Sequence, residues 1–261
     1  MDEVVLLTVR DALATVSLNR PGVRNAFNSA MIQALRETLN DLAPREDIRA
    51  VVIRGVGPAF CAGADVEWMR ASLDLTRDEN LQDAERMSDV FRALDTLPQP
   101  VVARVHGAAL GGGMGLIAAA DIVVAADDAV FGFTETKLGI VPAVISRVVL
   151  GKVGPSWARA LYLTGERFGP DMGQAAGLVH WVVRANELDA AIDAKVRELL
   201  SSGPVAAREA KRMIRELAGL DDSAVRALTV ARIAELRTSA EGQEGLRAFL
   251  EKRRASWRTD G

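Results

Sequence analysis

The strongest constraint on the fold is a pattern that occurs twice: a β-branched run, a loop of small residues, then a stretch of helical character. Residues 50–65 read AVVIRGVGPAFCAGAD and residues 100–115 read PVVARVHGAALGGGMG. Each apolar run is short and bounded by glycine or proline, which marks a buried strand. Strand–loop–helix units in succession predict an α/β fold, doubly wound or spiral. Residues 4–9 and 14–18 read as two strands of a hairpin around Arg10 and Asp11. Met31, Leu35, Leu39 and Leu42 form a helical stripe that Asn28 or Ser29 can cap and Pro44 ends. Leu81, Ala84, Met87, Phe91 and Leu94 form a second, closed by Pro98 and Pro100. Strands are expected again at 122–125 and 130–133. Beyond about Gly151 the pattern turns helical, over 155–163, 187–200, 205–217 and 223–237, with 178–183 as the one late strand.

Composition narrows the function. At about 150 residues per domain, 261 residues correspond to about 1.7 domains. No Ser/Gly or Pro-rich linker divides the chain, so one core with a helical C-terminal extension is expected. A hydrophobic content of 49% with 26% charged residues fits a globular chain. The net charge of −3 and only twelve aromatic residues argue against nucleic-acid binding, which needs a basic surplus and stacking surfaces. The single cysteine forbids an intrachain disulfide and fits a reducing, cytoplasmic setting. MDEVVLL opens with acids where an export signal would be basic. The most apolar stretch, 107–120, is 14 uncharged residues, mostly Gly and Ala. A membrane span needs about 20, so this stretch predicts a buried core segment.

The two small-residue loops are the first candidates for chemistry. Small side chains let a ligand approach backbone N–H groups, and two such groups aimed at one carbonyl oxygen form an oxyanion hole. The same residues equally permit close helix–strand packing, and the pattern alone leaves both readings open. Gly113, Gly115 and Ala118 match the dinucleotide fingerprint G-x-G-x-x-A. Their helix would have to begin and end between Met114 and Ala120, short for a βαβ crossover. His106 and His180 stand far apart without neighbouring metal-ligand motifs, so no metal site is expected. Cys61 with His106 would be a nucleophile pair, but a lone cysteine in an apolar loop is more commonly packing. Glu135 stands out: it follows an apolar run and precedes Leu138-Gly139-Ile140-Val141-Pro142. An apolar setting raises a carboxyl pKa and suits general acid–base work. The competing reading is a surface glutamate paired with Lys137 or Arg147.

Seven segments in order then resemble the crotonase family, the enoyl-CoA hydratases and isomerases, over essentially the whole chain. They are LNRPGVRNAF (18–27), AFCAGADV (59–66), VHGAALGGGMGL (105–116), FGFTETKLGIVP (131–142), LTGERF (163–168), AAGLVHWVV (175–183) and EGLRAFLEKRRASW (244–257). The resemblance implies a spiral of strand–strand–helix (ββα) turns over 1–200. It implies a helical C-terminal region over 201–261 that drives trimerisation, as a homotrimer or a dimer of trimers. It implies an acyl-CoA thioester substrate whose enolate the enzyme stabilises, with no metal and no cofactor beyond the coenzyme A carried by the substrate. The oxyanion-hole N–H groups fall on Ala64 and Gly112, and the general acid/base on Glu135. Substrate- or CoA-binding positions fall on Val23, Arg24, Ala26, Ala62, Asp65 and Val66. Others fall on Leu110, Gly111 and Thr134, and near the C-terminus on Phe249 and Lys252.

The chain also departs from the family pattern. Typical hydratases carry two glutamates, and the first falls on Gly115. One carboxylate suffices to move a proton between carbons, as in the Δ3,Δ2-enoyl-CoA isomerases, and a decarboxylating member could rely on the same parts. PAVISRVVL at 142–150, together with Gly115, is similar to hydratases of branched or carboxylated enoyl-CoAs. The expected activity is therefore an acyl-CoA hydratase/isomerase, with isomerase or decarboxylase as the alternative and a non-catalytic acyl-CoA binder behind both.

Overall fold

Asp11 takes a left-handed conformation (φ 51°) that turns the chain between two strands, β1 (Val5–Arg10) and β2 (Leu13–Leu18). They pair antiparallel, with Arg10 opposite Leu13. The computed structural model describes residues 3–258. After β2 come α1 (Ser29–Leu42), β3 (Ala50–Gly55), α2 (Val66–Ser72), α3 (Arg77–Thr96), β4 (Val101–Val105) and β5 (Ala108–Leu110). Then follow α4 (Gly112–Ala119), β6 (Ile122–Ala126), β7 (Val130–Gly132), α5 (Ser146–Thr164), β8 (Arg167–Phe168), α6 (Pro170–Ala175) and β9 (Trp181–Val183). Four helices close the chain: α7 (Leu188–Ser201), α8 (Pro204–Glu216), α9 (Asp222–Thr238) and α10 (Ala240–Leu250).

The main sheet has the order β1-β2-β3-β4-β6-β9, parallel at every pair beyond the first hairpin. A smaller sheet, β5-β7-β8, lies beside it. Two sheets wound by successive strand–helix passages form the spiral α/β architecture. β3 and β4 are buried nearly throughout, as strands covered on both faces must be. The stripe Met31, Ile32, Leu35, Leu39 and Leu42 of α1 is buried against the same core as Val90, Phe91 and Leu94 of α3. Asn28 caps α1 by accepting from the Met31 N–H, and Thr76 with Glu79 forms a reciprocal capping box on α3.

Several elements differ from the sequence pattern. The helix expected from 155 starts earlier, at Ser146, because two helices abut at Gly154 (φ 69°, ψ 170°) with Pro155 opening the second. The late strand shrinks to Trp181–Val183: Gly177 turns left-handed, and Leu178 and Val179 go into the core as a turn. β5, β8 and α2 had no periodic signal, being two to seven residues long. The dinucleotide reading fails because Gly113, Gly115 and Ala118 all lie inside α4 rather than in the turn that opens it, where a pyrophosphate would sit. Among the described residues no helix is long and apolar enough to cross a membrane.

The C-terminal helices attach to the core by cations meeting carbonyls. On α8, Arg208 donates to the carbonyls of Arg45 and Ile48 (3.0 and 2.8 Å). One turn on, Lys211 pairs with Asp121 (2.7 Å) and reaches the Gln99 carbonyl (3.1 Å).

Candidate active site

The first wall is the loop after β2. Arg24 and Asn25 are both left-handed (φ 52° and 57°), a conformation that asparagine tolerates well. Asn25 is fully buried, and its side chain works as a clasp. Its Oδ1 accepts from the Arg20 N–H (2.8 Å), and its Nδ2 donates to the carbonyls of Val56 and Ala59 (2.9 and 2.8 Å). Arg20 continues the brace, donating to the Ala26 carbonyl (2.6 Å) and pairing with Asp65 (2.7 Å). Nothing in the composition singled out Arg20 or Asn25; a buried, left-handed asparagine is a signal only once the fold is known.

This brace orients Ala64. The Phe27 N–H donates to the Gly63 carbonyl (2.7 Å), and the Asp65 N–H donates to the Phe27 carbonyl (2.9 Å). Both neighbours of Ala64 are thus turned toward Phe27, so in extended chain the Ala64 N–H points the other way. Among the described residues it meets no acceptor.

The second wall is parallel to the first. The N–H groups of Phe60, Cys61 and Leu110 donate to the carbonyls of His106, Ala108 and Cys61 (2.9, 3.0 and 2.9 Å). Gly111 then adopts φ 48° and ψ −118°, open to glycine alone, and α4 starts at Gly112. The first N–H groups of a helix have no intrahelical partner, and that of Gly112 finds none elsewhere among the described residues. A side chain at 112 would crowd the buried Phe27 ring, 2.9 Å from its Cβ, and would have to push aside the flexible end of Met87 at 2.6 Å.

Glu135 brings the acid. It sits in a 3-10 turn, Thr134–Leu138, directly after β7. A Cβ on Gly111 would fall 3.3 Å from Glu135 Oε1 and 3.7 Å from Gly63 Cα, so the two loops and the carboxylate converge on one spot. Glu135 Oε2 is buried without a hydrogen-bond partner, and burial pushes its pKa above the usual carboxylate range. The surface-pair reading fails: Arg147 pairs with Asp95 (2.8 Å) instead. Gly115, by contrast, is packed shut. A Cβ there would stand 2.4 Å from Ile145 Cγ2 and 2.6 Å from Phe91 Cε1.

The remaining candidates divide. Ala62 joins the walls, its N–H donating to the Arg24 carbonyl (2.9 Å). Val23, Arg24 and Val66 are exposed beside that junction, while Ala26 is buried beneath it. Leu110 and Thr134 are half-buried and flank Gly132. Asp65 is committed within the protein: one oxygen meets Arg20 and the other caps α2 by accepting from the Glu67 N–H (2.9 Å). Phe249 (81% exposed) and Lys252 lie at the end of α10, whose main neighbours are α8 and α9 rather than the walls. Cys61 is no nucleophile, since full burial pushes its thiol up to about 12. His106 is likewise engaged, between Arg104 (3.0 Å) and the Gly57 carbonyl (2.8 Å).

A family model described as enoyl-CoA hydratase/isomerase matches residues 8–260. The crystal structure of an enoyl-CoA hydratase from Shewanella pealeana has 36% identity and a TM-score of 0.93, covering 97% of this chain and 96% of that one. An enoyl-CoA hydratase structure from Mycobacterium smegmatis gives 34% and 0.94, covering 99% and 100%. The crotonyl-CoA hydratase of Syntrophomonas wolfei is 31% identical over 259 residues, 98% of each chain. With a spiral α/β fold of this kind, the molecule is an enzyme of the hydratase/isomerase class. The chain belongs to the enoyl-CoA hydratase/isomerase family.

Proposed function

We propose that the protein converts an enoyl thioester of coenzyme A, with the N–H groups of Ala64 and Gly112 holding the thioester oxygen and Glu135 as the single general acid/base. The observation that carries this is the convergence of two acceptor-free N–H groups with a buried carboxylate whose Oε2 has no partner. Charge developing on a thioester oxygen as it becomes an enolate would meet two fixed donors, at a cost in reorganisation close to zero. Glu135, with a raised pKa, is suited to take a proton at one carbon and return it at the next. Coenzyme A enters as part of the substrate, and the chemistry needs no other cofactor. Val23, Arg24 and Val66 at the mouth are suited to its adenosine and pantetheine portions.

Hydration of the double bond is the first reading, in line with the relatives' names. Gly115 favours a second, double-bond migration, because one acid suffices for it and the space in front of residue 115 is filled. The test is loss of the conjugated thioester absorbance of crotonyl-CoA, beside conversion of 3-enoyl-CoA. Glu135→Gln is expected to abolish both while leaving CoA-ester binding intact. Wild-type turnover by that variant would refute the assignment of the acid. Region 201–261 we assign to trimerisation, on the exposure of Val230, Ile233, Leu246, Phe249 and Leu250 on α9 and α10. A monomer in equilibrium sedimentation would refute it.

A further inference from the structure

Tyr162, the chain's one tyrosine, has no part in the chemistry assigned above, yet it is tied to the acid from both sides. Its ring packs on Phe133 at 4.8 Å, and its backbone carbonyl accepts from Thr136 Oγ1 (2.7 Å), so the residues around Glu135 rest on it. Burial, opposed by the contact with Ser146 and helped by the charge of Glu135, holds the phenol above its usual pKa, so it stays a neutral hydroxyl.

The direction of its hydrogen bond follows from its neighbour. Ser146 Oγ lies 2.7 Å from the Pro142 carbonyl and 3.4 Å from Tyr162 Oη. A carbonyl only accepts, so the one serine hydrogen is spent there. The serine hydrogen is then not aimed at the phenol, so Tyr162 Oη keeps its lone pairs free to accept. Ser146 directly follows Ile145, whose methyl closes the space at Gly115.

We propose that Tyr162, oriented by Ser146, accepts a hydrogen bond from the water that adds to C3 of the enoyl thioester and from the 3-hydroxyl that this water becomes. This rests on the role given to Glu135. As the water oxygen bonds to C3, one of its protons passes to the Glu135 carboxylate, and the C2=C3 electron pair moves toward the thioester oxygen. The enolate then collapses as Glu135 returns that proton to C2. The other water proton never leaves its oxygen and is the one Tyr162 holds.

The test compares two reactions of the same site. Hydration of crotonyl-CoA and of a branched enoyl-CoA needs the water held. Exchange of the α-proton of butyryl-CoA with deuterated solvent needs Glu135 and the two N–H groups alone. In Tyr162→Phe, kcat for hydration is expected to fall about tenfold, the worth of one hydrogen bond, with exchange within twofold of wild type. Ser146→Ala, which leaves the ring in place, should lower hydration by a smaller factor and again spare exchange. Equal losses in both reactions, or no loss in either, would overturn the role of Tyr162. A wild type that exchanges without hydrating any enoyl-CoA overturns it too, while leaving Glu135 and the two N–H groups standing. A folded wild type that does neither refutes the function proposed for the site.

Discussion

Placing a side chain at residue 115, where the resemblance puts the first of the family's two glutamates, tests whether that position is closed or merely empty. Gly115→Ala is the smallest such change. In a helix interior, alanine is favoured over glycine by about 1 kcal/mol, so on helix propensity alone the variant would be stabilised. The packing argues the reverse. The new methyl would stand 2.4 Å from Ile145 Cγ2 and 2.6 and 2.9 Å from two atoms of the Phe91 ring. Both neighbours are 1% exposed, and Phe91 is itself braced edge-on against Phe27 at 6.1 Å. Overpacking costs roughly 1–3 kcal/mol, and two rigid neighbours put this site at the upper end. The net loss is then about 2 kcal/mol, or about 4–8 °C in Tm for a chain of this size. Thermal unfolding followed by circular dichroism measures it. A double-mutant cycle with Ile145→Ala should show coupling of at least about 1 kcal/mol, since the truncation makes room for the methyl. A Gly115→Ala variant that melts at or above wild type would refute the closed-site argument, and a Gly115→Glu variant would then be worth making.

Other consequences are open to measurement. Glu135→Gln removes an unsatisfied buried carboxylate and should raise stability at pH 7 by about 1 kcal/mol while turnover disappears. Because burial raises the folded-state pKa of Glu135, protonation relieves the wild type as pH falls, so the gap in Tm between the two proteins should narrow in acid. Arg20→Met breaks the pair with Asp65 and leaves that carboxylate nearly buried. A loss of about 3 kcal/mol in urea unfolding is expected, and a change under 0.5 kcal/mol would show that Asn25 holds the loop alone. Lys152 donates to the Ala120 carbonyl (2.5 Å), and burial brings its ammonium down to about 8. Between that value and about 10.4 the unfolded chain holds a proton that the folded one has released, so stability rises with pH there. From pH 7.5 to 9.5 the gain attributable to Lys152 is about 2 kcal/mol, and it should be missing from Lys152→Met.

Much of the framework was legible because it is written in short-range code. Asn28, the stripe from Met31 to Leu42 and the β-branched runs at 50–53 and 101–105 each specify an element by themselves. α4 was less so, since a helix buried on every side has no periodicity to read. The site was legible only in part. Its glycines were visible, but pattern could not say whether they made room for packing or for a ligand. In the structure both make room for protein side chains, Gly112 for Met87 and Phe27 and Gly111 for the carboxylate of Glu135. The roles of Asn25 and Arg20 depend on partners up to 45 residues away, Asp65 for Arg20, and no local pattern encodes a contact at that range.

The two donors proposed to hold the thioester oxygen belong to the main chain, and that shapes how such a site can vary. No side-chain replacement at Ala64 deletes its N–H except proline, so an alanine scan would pass over the position without a trace. Gly112 differs in packing: its donor would also survive almost any replacement chemically, but the buried Phe27 ring resists a side chain there. The second position therefore tolerates substitution poorly, although the donor proposed there depends on no side chain. Glu135, Phe91, Ile145 and Tyr162 are side chains and can be exchanged one at a time. New chemistry in this scaffold is thus open to experiment around a pair of donors that mutation seldom reaches.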